Sequence, residues 1–425
     1  MNLTLNPVQS LTGRLSVPGD KSISHRALML AAVAQGESRI AGLSPGADVN
    51  STRQCLQQLA VAMQTEGDTV RIRGRGFSGL QPAMQALDAG NSGTTMRLLS
   101  GLLAGRPFTT RIYGDASLNR RPMQRIIEPL QRMGARLAAS PAGTAPLTIH
   151  GGSLTGIRYE MPVASAQVKS CILFAGLQAA GETTVLEPLP TRDHSERLLA
   201  AMGAAVQVTD HAVTIRRSSL QPASITVPGD FSSAAFLLAA ATLLPNGDLI
   251  LDNINVNPTR IGMLHVLRQM GAAIDLEDQT DRGGEPVANM RARHSLLQAV
   301  TITPQQIPQL IDEIPTLAVL ATQAEGQTVI TGAQELRVKE SDRLAVLTGN
   351  LRAMGAKVEE LPDGLIITGP VRLQGAMIDP HGDHRMAMAF AIAGLIATAP
   401  VTIQHAECVD ISFPGFFELL RRHCR

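Results

Sequence analysis

Aromatic residues make up only 3% of the 425-residue chain, with two Tyr, nine Phe and no Trp. That leaves too few flat side chains for a surface that binds nucleic acid by base stacking. Charge is scarce as well. Charged residues are 17% of the chain and the net charge is +1, so no long-range field gathers nucleic acid or membrane lipid. The four cysteines, Cys55, Cys171, Cys408 and Cys424, include no CxxC pair and read as reduced structural thiols. The N-terminus has no basic stretch followed by an apolar core, so no signal peptide is read. The run Met386–Gln404 lacks Asp, Glu, Lys and Arg over 19 positions, near the length of a membrane span. It is Ala-rich and broken by Gly394 and Pro400, and reads as a buried helix followed by a strand.

Against these absences stands a repeat. Ser16-Val17-Pro18-Gly19-Asp20-Lys21-Ser22 returns without its charge as Thr226-Val227-Pro228-Gly229-Asp230-Phe231-Ser232. A Leu followed by Thr-Gly, Gln-Pro, Gln-Ala or Gln-Gly stands at Leu11, Leu80, Leu154, Leu220, Leu297 and Leu373. After most of them comes a short alternating run ending in Pro, as at Tyr159-Met161-Pro162, which predicts a strand. Next comes a helix with a polar first turn and an Ala/Leu/Met-rich body, then a Gly and a second strand. An amphipathic helix follows, closing on Met-Gly-Ala at Met133, Met202, Met270 and Met354. The pattern predicts βαβαββ six times. Leu3–Leu5 and Leu11–Val17 precede any helix and are expected to supply strands that the last unit lacks. Two domains follow, one of residues 20–228 and a discontinuous one of 1–19 with 229–425, hinged near 18–20 and 228–230; a chain this long exceeds one core.

Lys21, Arg26, Arg121, Arg192, Lys339, Arg343 and Arg385 all fall at expected helix starts or in loops beside them. Helix N-termini carry partial positive charge and free N–H groups. Seven cations added there point to a multiply anionic ligand. Where the repeats are compared, such slots accept apolar residues (Phe231 for Lys21), so the fold does not require the charges. Among the acids, Asp312 reads either as a helix cap or as a general base facing the cations; Glu340 lies between Lys339 and Arg343. In Gly90-Asn91-Ser92-Gly93-Thr94-Thr95 a glycine turn precedes a helix, and its functional reading is backbone approaching a phosphate.

These residues resemble the 5-enolpyruvylshikimate-3-phosphate synthase family over the whole chain. The motifs that carry the likeness are Gly19–Arg26, Gly90–Thr95, Asn119-Arg120-Arg121-Pro122-Met123, Ser165-Ala166-Gln167-Val168-Lys169, Arg337–Arg343 and Gly382-Asp383-His384-Arg385. The resemblance implies an α/β fold, a two-domain inside-out α/β barrel of six βαβαββ repeats, three per domain, that closes on its substrates. It implies transfer of the enolpyruvyl group of phosphoenolpyruvate to the 5-hydroxyl of shikimate 3-phosphate, on the route to chorismate, with no metal or organic cofactor. It implies a cytoplasmic enzyme acting as a monomer on small molecules, without nucleic acid or membrane, and sensitive to the phosphonate herbicide glyphosate.

By motif, the resemblance implies that Lys21, Asp312 and Glu340 are catalytic, Asp312 taking the hydroxyl proton and Glu340 protonating the methylene carbon. Shikimate 3-phosphate falls to Lys21, Ser22, Arg26, Ser165, Ala166, Gln167, Arg192, Asp312 and Lys339. Phosphoenolpyruvate falls to Lys21, Asn91, Gly93, Thr94, Arg121, Gln167, Arg343, His384 and Arg385. Three departures stand out. Ala166 replaces a second Ser of many relatives, Leu98 stands where glyphosate-sensitive relatives often have Pro, and no Lys shortly precedes Phe413-Pro414. Asp281-Arg282-Gly283-Gly284-Glu285-Pro286 reads as an inserted loop of unknown role. A related transferase acting on a UDP-amino sugar is disfavoured by Ser22 after Lys21 and by the lack of Cys in 105–125. An RNA-end-processing enzyme is disfavoured by the low aromatic content and near-neutral charge, and a non-catalytic scaffold by the presence of Lys21, Asp312 and Glu340.

Overall fold

A computed structural model describes residues 1–425. By its contacts the chain divides into two compact units. The central unit is Gly19–Val227 with Arg282–Glu285, and the terminal unit is Met1–Pro18, Pro228–Asp281 and Pro286–Arg425.

The central unit holds helices α1 (Lys21–Ala32), α2 (Ala47–Gln58), α3 (Gly93–Leu103), α4 (Gln124–Arg132), α5 (Ala166–Gly176) and α6 (His194–Ala201). Helices α1, α3 and α5 are the Ala/Leu-rich ones, and nearly all their residues are buried. Helix α4 is amphipathic, burying Ile126, Ile127, Pro129 and Leu130, as an outer helix with one apolar stripe should. The unit has three four-stranded sheets. In each, a parallel pair is extended by two antiparallel strands, as in Arg158–Glu160 against Glu182–Leu186 and then Ala212–Arg216. Helices form the core and sheets lie outside them, the inverse of an ordinary α/β barrel.

The terminal unit holds α7 (Phe231–Leu243), α8 (Gly262–Gln269), α9 (Ile307–Leu310), α10 (Ile314–Ala321), α11 (Arg343–Ala353), α12 (His384–Leu395) and α13 (Phe416–His423). It has two four-stranded sheets and one of three strands. Helix α12 accounts for the uncharged run. It is 12 residues long, and no helix is long and apolar enough to cross a membrane.

The repeat has a physical basis in each copy. Leu11, Leu80, Leu154, Leu220, Leu297 and Leu373 are all buried. The Met of each Met-Gly-Ala is a helix C-cap, and the glycines after it, Gly134, Gly203, Gly271 and Gly355, all have positive φ. A left-handed residue lets the chain turn off the helix end. After Leu80 the chain runs as a loop and pairs only at Leu87–Asp88, so this copy lacks the alternating run that follows most of the other Leu residues.

The strand exchange at the repeat boundaries differs from expectation. Leu3–Leu5 does complete the last sheet, antiparallel to Val401–Ile403. Thr12–Leu15 does not join that sheet. It pairs in parallel with Asp248–Leu251 in the sheet of α7. Its counterpart Ser224–Thr226 precedes α7 in sequence but pairs with Arg39–Ala41, in the sheet of α1. Each crossing strand thus serves the copy that the other precedes. Sequence periodicity assigns a strand to its neighbours along the chain, so it does not reveal this exchange.

Candidate active site

In the central unit the starts of α1, α3 and α5 are capped by Asp20, Ser92 and Ser165, each accepting a backbone N–H from its own first turn. The caps leave the next residues, Lys21, Gly93 and Ala166, at the positive helix ends. Lys21 Nζ lies 3.0 Å from Asp48 Oδ2. Arg121 clamps the glycine turn through Asn91: Nη2 donates to Asn91 Oδ1 at 2.7 Å and Nη1 to the Asn91 carbonyl at 3.2 Å. Gln167 reaches across from α5, its Nε2 donating to Thr94 Oγ1 at 3.0 Å while its Oε1 accepts from Arg97 Nη1 at 2.6 Å. Asn91, Gly93, Thr94, Arg121 and Gln167 are therefore brought together, with Arg97 among them.

A second group gathers around Arg26. Its Nε donates to Ser195 Oγ (2.7 Å), Nη1 to the Ser22 carbonyl (2.9 Å) and Nη2 to Ser170 Oγ (2.8 Å). Burial pushes this guanidinium down to about 10, and the charge of Arg192 adds to the shift; Glu196 and Asp20 oppose it. Behind it, buried Lys169 is paired with Glu187 (2.8 Å) and Glu196 (2.6 Å). His25 is fully buried, bonds Thr52 Oγ1 at 2.7 Å, and is held well below its usual range by burial, then by Lys21 and Arg26.

In the terminal unit Asp312 lies in a short 3₁₀ turn, Ile311–Glu313, ahead of α10. It is not the cap of α10. Instead its Oδ1 stands 3.6 Å from Arg343 Nη1 and 3.9 Å from Lys339 Nζ, and its Oδ2 is 3.6 Å from Arg385 Nη2. These separations are ion pairs too long for direct hydrogen bonds. Arg343 is anchored from the other side, with Nε 2.7 Å from Asp383 Oδ2 and Nη2 2.7 Å from Glu340 Oε2. Burial alone would lower the Arg343 guanidinium, but Asp383, Glu340 and Asp312 outweigh it and the net shift is upward. Its Nη1 makes no hydrogen bond. Asp383 also caps α12 by accepting from the Arg385 N–H, which places His384 and Arg385 in the first turn. The terminal unit thus gathers Asp312, Lys339, Glu340, Arg343, His384 and Arg385.

Arg97 and Arg260 escaped the sequence reading. Arg97 sits four positions after Gly93 in α3, one helical turn away, and that spacing could have flagged it. Glu313 and Arg260 form a buried pair at 3.0 Å, and Ser232 bonds both as well as Arg385 at 2.9 Å. No local pattern joins 232, 260 and 313. No group of three or more His, Cys, Asp or Glu side chains is placed to hold a metal ion.

A family profile described as EPSP synthase (3-phosphoshikimate 1-carboxyvinyltransferase) matches residues 5–420. A protein of Desulforudis audaxviator named 3-phosphoshikimate 1-carboxyvinyltransferase is 52% identical over 423 residues, covering 99% of both chains. One of the same name from Halorhodospira halophila is 52% identical over 99% of this chain and 96% of its own. Among solved structures, EPSP synthase from Acinetobacter baumannii superposes with a TM-score of 0.88 at 43% identity, covering 100% of this chain and 98% of that one. The enolpyruvyl transferase NikO from Streptomyces tendae, at 17% identity and a TM-score of 0.81 over 99% of this chain and 97% of its own, shares the fold. With its two units of helices enclosed by sheets, the chain belongs to the EPSP synthase family, the 3-phosphoshikimate 1-carboxyvinyltransferases.

Proposed function

We propose that the two clusters serve one reaction, the transfer of the enolpyruvyl group of phosphoenolpyruvate to the 5-hydroxyl of shikimate 3-phosphate with release of phosphate. The observation that carries this reading is Asp312: a carboxylate within 3.9 Å of the cationic groups of Lys339, Arg343 and Arg385. A carboxylate set among cations that suit an anionic substrate is placed to take the proton of that substrate's hydroxyl.

Lys21, Asn91, Gly93, Thr94, Arg121 and Gln167 take the phosphate of phosphoenolpyruvate, and Arg343, His384 and Arg385 its carboxylate, for which the planar guanidinium fork is suited. Ser22 and Arg26 hold the shikimate ring and carboxylate. Ser165, Ala166, Gln167, Arg192 and Lys339 surround its phosphate. Asp312 accepts the proton of the 5-hydroxyl as that oxygen bonds to C2 of phosphoenolpyruvate, and Glu340 delivers a proton to the methylene carbon. Expulsion of phosphate with loss of a proton from the same carbon restores the double bond. The enzyme works as a cytoplasmic monomer on these two anions, with no membrane or nucleic-acid partner.

A coupled assay for phosphate tests the reading: release with both substrates and none with either omitted. Lys21→Met should lower kcat/KM by roughly a hundredfold or more, the loss expected for a desolvated charge contact to phosphate. Its circular dichroism should be unchanged, because Asp20 caps α1 without Lys21 and the matching slot holds Phe231. Near-normal turnover in a folded Lys21→Met protein would refute the role.

A further inference from the structure

The start of α6 connects the loop of unknown role to Arg26. Three of the five N–H groups of Arg26 are committed to Ser195, Ser22 and Ser170. The hydroxyls of Ser170 and Ser195 also bond each other at 2.6 Å, so fixing Ser195 fixes the guanidinium fork. Ser195 is the second residue of α6. The first, His194, is fully buried, and its Nδ1 lies 2.7 Å from Oε1 of Glu285. Glu285 begins the second strand of the hairpin Ala273–Arg282 and Glu285–Arg293, just past Gly283 and Gly284, both at positive φ. Paired left-handed residues make the tight two-residue turn that aims this tip. Arg197, one turn along α6, donates from Nη1 to the Gly284 carbonyl at 2.7 Å and from Nε to Asp193 at 2.8 Å. The tip thus grips the first turn of α6 at two points, and Arg282–Glu285 accordingly belongs to the central unit.

Glu285 is 2% exposed. A buried carboxylate–imidazole contact is costly to desolvate and an inefficient source of stability; what it supplies is a fixed geometry. Glu285 is also among the charges that raise the Arg26 guanidinium against burial, so the two are electrostatically coupled.

We propose that the hairpin tip is a positioning element for the anion site at Arg26: Glu285 sets His194, His194 sets the first turn of α6, and Ser195 in that turn orients the Arg26 fork. The inference rests on the assignment of Arg26 to the shikimate carboxylate. It is tested by steady-state kinetics, each substrate varied in turn, on wild type, Glu285→Ala, Glu285→Gln and Arg26→Ala, with thermal melts alongside. Glu285→Ala should raise the KM for shikimate 3-phosphate about tenfold and leave that for phosphoenolpyruvate within about twofold. Glu285→Gln keeps an acceptor for His194 and should hold the rise near threefold. The proposal is overturned if both Glu285 variants keep the wild-type KM while Arg26→Ala raises it, or if both KM values and kcat move together. An Arg26→Ala enzyme with unchanged affinity for shikimate 3-phosphate overturns the underlying assignment, and this inference with it. Should Glu285→Ala not fold, Glu285→Gln decides alone: a selective rise supports the role and none refutes it.

Discussion

Alanine at position 93 would place its methyl group 2.7 Å from Nη1 of Arg97 and 3.5 Å from Nη1 of Arg121. The second distance is ordinary contact; the first is not, and Arg97 must retreat by roughly 0.7 Å or more to restore a normal separation. The backbone is not at issue, since Gly93 is not among the positive-φ glycines. The cost arises because that same Nη1 donates to Gln167 Oε1 at 2.6 Å. A charge-assisted hydrogen bond of this kind contributes about 1.5–3 kcal/mol when buried. Both side chains are half-buried and Arg97 can swing, so about 1 kcal/mol is the expected loss. That corresponds to roughly a fivefold rise in the KM for phosphoenolpyruvate. Glyphosate is longer than the substrate whose place it is proposed to take. It meets the methyl directly as well as losing the Arg97 contact, so its inhibition constant should rise at least ~50-fold. Phosphate release measured across both concentrations, in wild type and Gly93→Ala, gives the two constants side by side. Equal shifts, or inhibition that does not compete with phosphoenolpyruvate, would refute the reasoning.

Three further outcomes are expected. Asp312→Asn keeps the shape and hydrogen-bonding oxygen but cannot take the proton, so calorimetry should find substrate affinity within roughly tenfold of wild type while kcat falls by about a hundredfold or more; parallel losses would remove Asp312 as the base. Asp383→Ala strips Arg343 of a partner where both are about fully buried, and uncaps α12. Such a break costs about 3–5 kcal/mol, to be read as a lowered urea midpoint, and a midpoint unchanged from wild type would contradict the pair's role. His25 takes up its proton far more readily unfolded than folded. Stability is therefore complete above about pH 6.5 and falls as the pH drops below that value. Urea titrations at pH 5 and pH 8 should show the loss, and His25→Gln should show less of it; identical slopes would exclude His25 as its source.

The parts of this fold legible in the sequence are those fixed by short-range physics. Each repeat Leu is a core anchor, and each Met-Gly-Ala marks a helix end because only a left-handed residue lets the chain leave there. The polar first turns were readable for the same reason, and the caps within or beside them, Asp20, Ser92, Ser165 and Asp383, locate Lys21, Gly93, Ala166 and Arg385. What tertiary pairing decides stayed hidden. Nothing near Thr12–Leu15 says that it pairs with Asp248–Leu251 rather than with the chain's end. Glu313, Arg260 and Ser232 meet across more than 80 residues, and His194 meets Glu285 across 91. Asp312 could be read as a cap or a base; only the folded chain shows that Glu313 holds the cap position of α10 and that Asp312 faces three cations.

The exchanged strands also set an order of events during synthesis. All three sheets of the central unit are in hand once Ser224–Thr226 has been made, and that unit can fold while the rest is still being translated. The terminal unit cannot. Leu3–Leu5 must wait for Val401–Ile403, and Thr12–Leu15 must wait for Asp248–Leu251. Until those segments are made, Leu3–Leu5 and Thr12–Leu15 have no strand to pair with. These strands are only three and four residues long, too short to template association with other nascent chains. The central unit is thus completed early, and the terminal unit closes with strands made long before their partners.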